Sequence, residues 1–86
     1  MTTHIMLITY SFDSDYVSIP CSSEKEAIER LHEWLNEEIR ITEKENEYTP
    51  EMREYSDVEV ELVYSGDDVA TYRVIEIDHW YCGGQK

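Results

Sequence analysis

The feature that most constrains the fold of this chain is a single apolar stripe at helical spacing. Ile28, Leu31, Leu35 and Ile39 recur at intervals of three and four, joined by Ala27 and Trp34. That period sets them on one face of an α-helix. In front of the stripe, Ser23 and Glu26 form a Ser-x-x-Glu capping box, which supplies partners to backbone donors orphaned in the first turn. The spacing predicts one amphipathic helix from about Ser23 to Arg40, ending somewhere between Arg40 and Asn46. Such a helix must bury its apolar face against another layer.

That layer is legible on both sides of the helix as segments of period two. His4 to Phe12 reads as a first strand, with Met6, Ile8, Tyr10 and Phe12 on one face and Ile5 and Leu7 on the other. Apolar residues on both faces suit a strand with neighbours on each side. Asp13-Ser14-Asp15 has turn chemistry, and Tyr16 to Ile19 returns as a short strand that Pro20 ends. After the helix, residues 42–57 read as an acidic connection, with one helical turn near Thr49-Pro50. Val58, Val60, Leu62 and Tyr64 then alternate with Glu59, Glu61 and Val63, Ser65-Gly66-Asp67-Asp68 turns the chain, and Val69 to Ile77 forms the last strand.

The sequence thus predicts one α+β domain over residues 1–86. It has a small, mainly antiparallel four-stranded sheet with the long helix on one face, in the order β-β-α-β-β. The order becomes β-α-β-β if residues 16–19 are irregular. Residues 79–86 form a C-terminal tail. Met6, Ile8, Tyr10, Ile28, Leu31, Leu35, Val60 and Leu62 are the expected core. An 86-residue chain with 41% apolar residues supports one modest core and no second one.

Charge bounds the partners. Twenty Asp and Glu against seven Lys and Arg give −13. Nucleic-acid affinity rests on cations that displace phosphate counterions, so direct binding to DNA or RNA is not expected. Anionic membrane surfaces are disfavoured in the same way. No run approaches about 18 apolar residues, the length of a membrane span, and no signal-peptide pattern opens the chain. A cytoplasmic setting is expected, with Cys21 and Cys82 as reduced thiols.

The usual chemical constellations are weak. Among Cys21, Cys82, His79, His4 and His32, the only close pair is His79 with Cys82, whereas structural zinc sites pair their ligands closely along the chain. Asp13, Asp15 and Glu24 match three positions of a calcium loop, but Ser18 stands where the sharp turn needs glycine. Ser14, Ser22, Ser23 and Ser56 occupy turn and cap positions, and Gly83-Gly84 does not join a strand to a helix, so neither a nucleophile turn nor a phosphate loop is present. No metal, no cofactor and no catalytic residue is expected; the chain reads as a binding protein and not an enzyme.

What remains is the acidic pattern. Residues 24–61 hold 14 acidic and 5 basic side chains, a net −9. Glu29, Glu33 and Glu37 stack at intervals of four, with Cβ atoms about 5–6 Å apart, close to the roughly 6–7 Å that separates successive phosphates along a strand rising 3.4 Å per nucleotide. Glu43, Glu45, Glu47, Glu51 and Glu54 continue the tract, and Glu59 and Glu61 share the polar face of a strand. In size and charge only, this arrangement resembles the nucleic-acid-mimicking inhibitors of phages and mobile elements, some anti-CRISPR proteins among them. The resemblance implies an acidic face that occupies the groove of a DNA- or RNA-binding protein. It rests on no shared motif and transfers no residues. A second reading is an accessory interaction domain that binds through an aromatic patch at Trp80 and Tyr81, typical interface anchors, with acidity serving solubility alone.

Overall fold

The structure is a computed structural model, described for residues 1–64 and 68–77. Six elements follow one another: β1 (His4–Tyr10), β2 (Asp13–Cys21), α1 (Glu24–Asn46), β3 (Glu51–Ser56), β4 (Glu59–Val63) and β5 (Val69–Glu76). The five strands form one antiparallel sheet in the order β2-β1-β5-β4-β3. The architecture is therefore α+β with one helix, and the sheet has five strands rather than the four expected. β1 is hydrogen-bonded on both sides, to β2 and β5; its Met6 and Ile8 face the core, whereas Ile5 and Leu7 are half-buried on the opposite face.

The register explains the core. Met6 and Ile8 of β1 lie opposite Val74 and Tyr72 of β5, and Tyr72 and Ala70 lie opposite Val60 and Leu62 of β4. These residues share one face of the sheet, and Leu31 and Leu35 of α1 close over it. Met6, Ile8, Leu31, Leu35, Val60 and Leu62 are buried as expected, whereas Tyr10 and Ile28 are only half-buried. Trp34, assigned to the same stripe, is 43% exposed on the helix flank. The core also takes in Ala70 and Tyr72 from β5, and Ala27 and Thr42 from the helix.

Three local expectations are corrected. The first turn is at Ser11-Phe12, so β1 stops at Tyr10 and Asp13-Ser14-Asp15 belongs to β2. Phe12 consequently leaves the core face and is 53% exposed. Pro20 lies inside β2 opposite Ile5; an edge strand tolerates proline where its missing donor would face outward. The stretch 42–57 is not a simple connection. The helix continues through it to Asn46, where Glu47 stops it in a left-handed conformation (φ 61°), and residues 51–56 pair with β4 as β3 in place of a helical turn.

β3 is the element that the pattern of apolar residues does not mark. The helix packs mainly over β5, β1 and β2, leaving β3 at the far edge with every residue exposed. A strand covered on neither face needs no apolar alternation, and backbone pairing with β4 holds it. The helix start follows the capping logic with one variation. The Glu26 amide donates to Ser23 Oγ (3.1 Å), but the Glu26 carboxylate accepts from the amide and hydroxyl of Ser22 (2.6 and 2.8 Å) instead of the Ser23 amide.

Candidate functional site

The acidic residues of the sequence do not form one surface. Strand register and helix packing divide them between opposite sides of the molecule. Glu29, Glu33 and Glu37 run along α1 on the side turned away from Leu31 and Leu35, all exposed, and Glu43, Glu45 and Glu47 follow exposed at its end. Glu59 and Glu61 lie opposite Arg73 and Thr71, on the sheet face that the helix does not cover, and Glu51 lies opposite Val63 on that same face. Glu54 pairs with Val60 and therefore shares the helix side of the sheet, at its outer edge. The sheet thus separates Glu51, Glu59 and Glu61 from the helical row.

Charge pairing narrows the helical row further. Arg30 donates to Glu33 at 2.7 Å and approaches Glu26 at 4.0 Å, and Arg40 makes a two-point contact with Glu37. Hydrogen bonding to Arg40 holds the Glu37 carboxyl below its ordinary range. On the uncovered sheet face Arg53 pairs with Glu51 at 3.1 Å and Arg73 with Glu59 at 3.5 Å, while the Tyr55 hydroxyl donates to Glu61 at 2.7 Å. That bond to Glu61 pushes the Tyr55 phenol up from its ordinary value. All four arginines are engaged by glutamate. Among the described residues Glu29, Glu43, Glu45, Glu47 and Glu54 are in no ion pair. Exposed pairs of this kind contribute little stability, yet each removes most of one net charge from the surface a partner meets.

No family model matches the chain, and no curated protein or solved structure matches it either. The site must be judged on its own geometry.

The other residues singled out in the sequence are dispersed. Cys21 is buried at the end of β2, and burial pushes its thiol up from the ordinary value, which favours the unreactive protonated form. His4 is half-buried in β1, its Nδ1 2.8 Å from the Thr3 hydroxyl. Among the described residues no three His, Cys, Asp or Glu side chains are grouped to hold a metal ion. His79, Trp80, Tyr81 and Cys82 lie outside the described residues, as does most of the Ser65–Asp68 turn. No described helix is long and apolar enough to cross a membrane.

Two features of the surface were not marked by the acidic pattern. The uncovered sheet face has a shallow apolar hollow of about 300 Å³ between Ile5, Leu7 and Tyr16. A second hollow, at the end of the sheet where Tyr10, Phe12 and Tyr64 meet the helix, gathers aromatic rings around Glu38. The sequence did hold a signal for the latter. Continuing the stripe Leu31, Leu35 by steps of three and four leads to Glu38 and Thr42, polar residues on the buried side of the helix.

Proposed function

We propose that this chain is a small acidic protein-binding domain that acts by binding and not by catalysis, its helical acidic face occupying a basic surface on a DNA- or RNA-binding protein. The observation that carries this reading is the exposed outer side of α1. There Glu29 and Glu43, with Glu47 at the cap, stand outside every ion pair among the described residues and flank the paired Glu33 and Glu37. A rigid helix offers a fixed row of negative charge about 27 Å long between residues 29 and 47, at 1.5 Å per residue. Such a row complements a groove lined by lysine and arginine. Because Glu51, Glu59 and Glu61 face the other way and Glu54 lies at the outer edge of the sheet, the proposed contact is confined to the helix and its C-terminal cap.

The test is capture of partners from lysate at low and high salt, followed by competition with DNA or RNA. A mimic binds through screened charges, so its complex dissolves as ionic strength rises, and nucleic acid displaces it. Reversing Glu29, Glu43 and Glu47 together to Lys should weaken binding far more than replacing Glu33 and Glu37, whose charge Arg30 and Arg40 already offset. A partner retained at high salt and indifferent to nucleic acid, but lost in Trp80→Ala or Tyr81→Ala, would favour the accessory domain with an aromatic patch instead.

A further inference from the structure

The hollow around Glu38 has the makings of a second binding site, of different chemistry from the acidic row. It measures about 370 Å³ and is walled by Tyr10, Phe12, Tyr48 and Tyr64, with the carboxylates of Glu38 and Asp68 on its lining. This is the low end of the range for small-ligand clefts. The rings do not stack flat on one another. Tyr10 and Phe12 are 5.4 Å apart at 51°, and Phe12 and Tyr64 are 6.2 Å apart at 88°.

Glu38 is fixed within this wall. Its Oε2 accepts from the Tyr64 hydroxyl at 3.0 Å and from the Thr42 hydroxyl at 3.4 Å. A carboxylate has room for about four donors, so these two do not exhaust it. Burial and the nearby Glu38 raise the phenols of Tyr10, Tyr64 and Tyr72 above their ordinary value, so all three stay protonated and neutral at physiological pH. No lysine or arginine lines the hollow among the described residues. A site with aromatic walls and negative charge attracts cations through the ring quadrupoles. A primary ammonium or bare metal ion is strongly hydrated and would require several oxygen partners in place of water. An alkylated ammonium gives up little hydration and needs aromatic surface and negative charge; four aromatic side chains and the carboxylates of Glu38 and Asp68 line this hollow, beside Thr42 and Asn46.

We propose that the hollow bounded by Tyr10, Phe12, Tyr48, Tyr64 and Glu38 binds an alkylated ammonium group. The site lies at the end of the sheet and adjoins the C-terminal end of the acidic row, where Tyr48 borders both, but it does not depend on the acidic-face reading. The group can come from a small molecule or from a methylated lysine side chain of a protein; the recognition chemistry is the same.

The experiment titrates the whole protein, labelled at Tyr and Phe, with choline and with its uncharged isostere, in which a tert-butyl group replaces trimethylammonium. Choline should give saturable shifts of the Tyr10, Phe12 and Tyr64 ring resonances, and the isostere should bind at least about 10-fold more weakly, since it lacks the attraction between cation and ring. Phe12→Ala should weaken choline binding about 2- to 30-fold, the range spanned by exposed to desolvated ring–cation contacts. Phe12 sits in a turn and is more than half exposed, so this variant keeps its fold, which circular dichroism verifies. Glu38→Gln keeps the shape of the wall and should weaken choline while leaving the isostere unchanged. Tighter binding of a trimethyllysine peptide than of choline would assign the site to a protein side chain, and the reverse order to a small molecule. Equal affinity for choline and the isostere, unshifted ring resonances, or full choline binding in Phe12→Ala would each overturn the proposal.

Discussion

Leu31→Ala tests the packing of helix on sheet at its centre. Leu31 has no exposed surface and belongs to the cluster formed with Met6, Ile8, Val60, Leu62 and Tyr72. The substitution removes three carbon atoms, worth about 2.4 kcal/mol at about 0.8 kcal/mol each. Sheet and helix backbone frame the site and limit its collapse, and a residual void of about 50 Å³ adds about 1.2 kcal/mol at about 24 cal/mol per Å³. The expected loss is therefore about 3.5 kcal/mol, against a total of roughly 4–13 kcal/mol for a domain of this length. Urea unfolding followed by far-ultraviolet circular dichroism measures it, and the midpoint should fall while the slope stays unchanged. Ile28→Ala, at a half-buried position on the same helix, should lose clearly less. A loss below about 1 kcal/mol at Leu31, or a larger loss at Ile28, would mean that the helix face is rotated from the one described.

Further outcomes follow from local features. Glu47 holds a left-handed conformation that glycine adopts freely, so Glu47→Gly should stabilise the protein by up to about 1 kcal/mol in the same unfolding assay; destabilisation would show that the cap is not strained. Hydrogen bonds from the Ser22 amide and hydroxyl hold the Glu26 carboxyl below its ordinary value. Its contribution is thus present above the unfolded-state value of about 4.3 and is lost as pH falls through the lower folded value. Glu26→Gln should be less stable than the parent at neutral pH, with the gap closing in acid; a gap that widens in acid would contradict the assignment. With a net charge of −13, added salt should raise the melting temperature by screening self-repulsion, and a fall would mean that the exposed ion pairs outweigh it.

The helix and three strands were legible because each buries one face and shows that face in its spacing: Leu31 and Leu35 at helical period, Met6 and Ile8, Val60 and Leu62 at period two. β2 was legible only in part, since Asp13-Ser14-Asp15 has the composition of a turn, yet its backbone pairs on from Tyr10 across a register shift. β3 was illegible because its position at the uncovered edge exempts it from any burial pattern. The division of the acidic tract was hidden for a related reason. The alternation with Val60 and Leu62 already set Glu59 and Glu61 on the face away from the core, but the faces of Glu51 and Glu54 depend on the register of β3 against β4, a long-range fact that no local spacing records. Glu38 and Thr42 were the one polar interruption of the helical stripe that pointed to a feature of the folded surface.

The exposure of β3 on both faces also bears on how the edge of the sheet meets other chains. Directly beneath it lies β4, whose Val60 and Leu62 are buried and whose outer backbone groups β3 alone occupies. An apolar strand with a free edge invites pairing with another chain, and natural sheets guard such edges with charge and bulges. β3 carries Glu51, Arg53 and Glu54 and breaks its pairing register between Glu54 and Ser56. It is a poor template for a neighbour's strand while covering a good one. Weakening β3 would therefore do less harm to the core than to the company the protein keeps, turning a repulsive rim into an adhesive one.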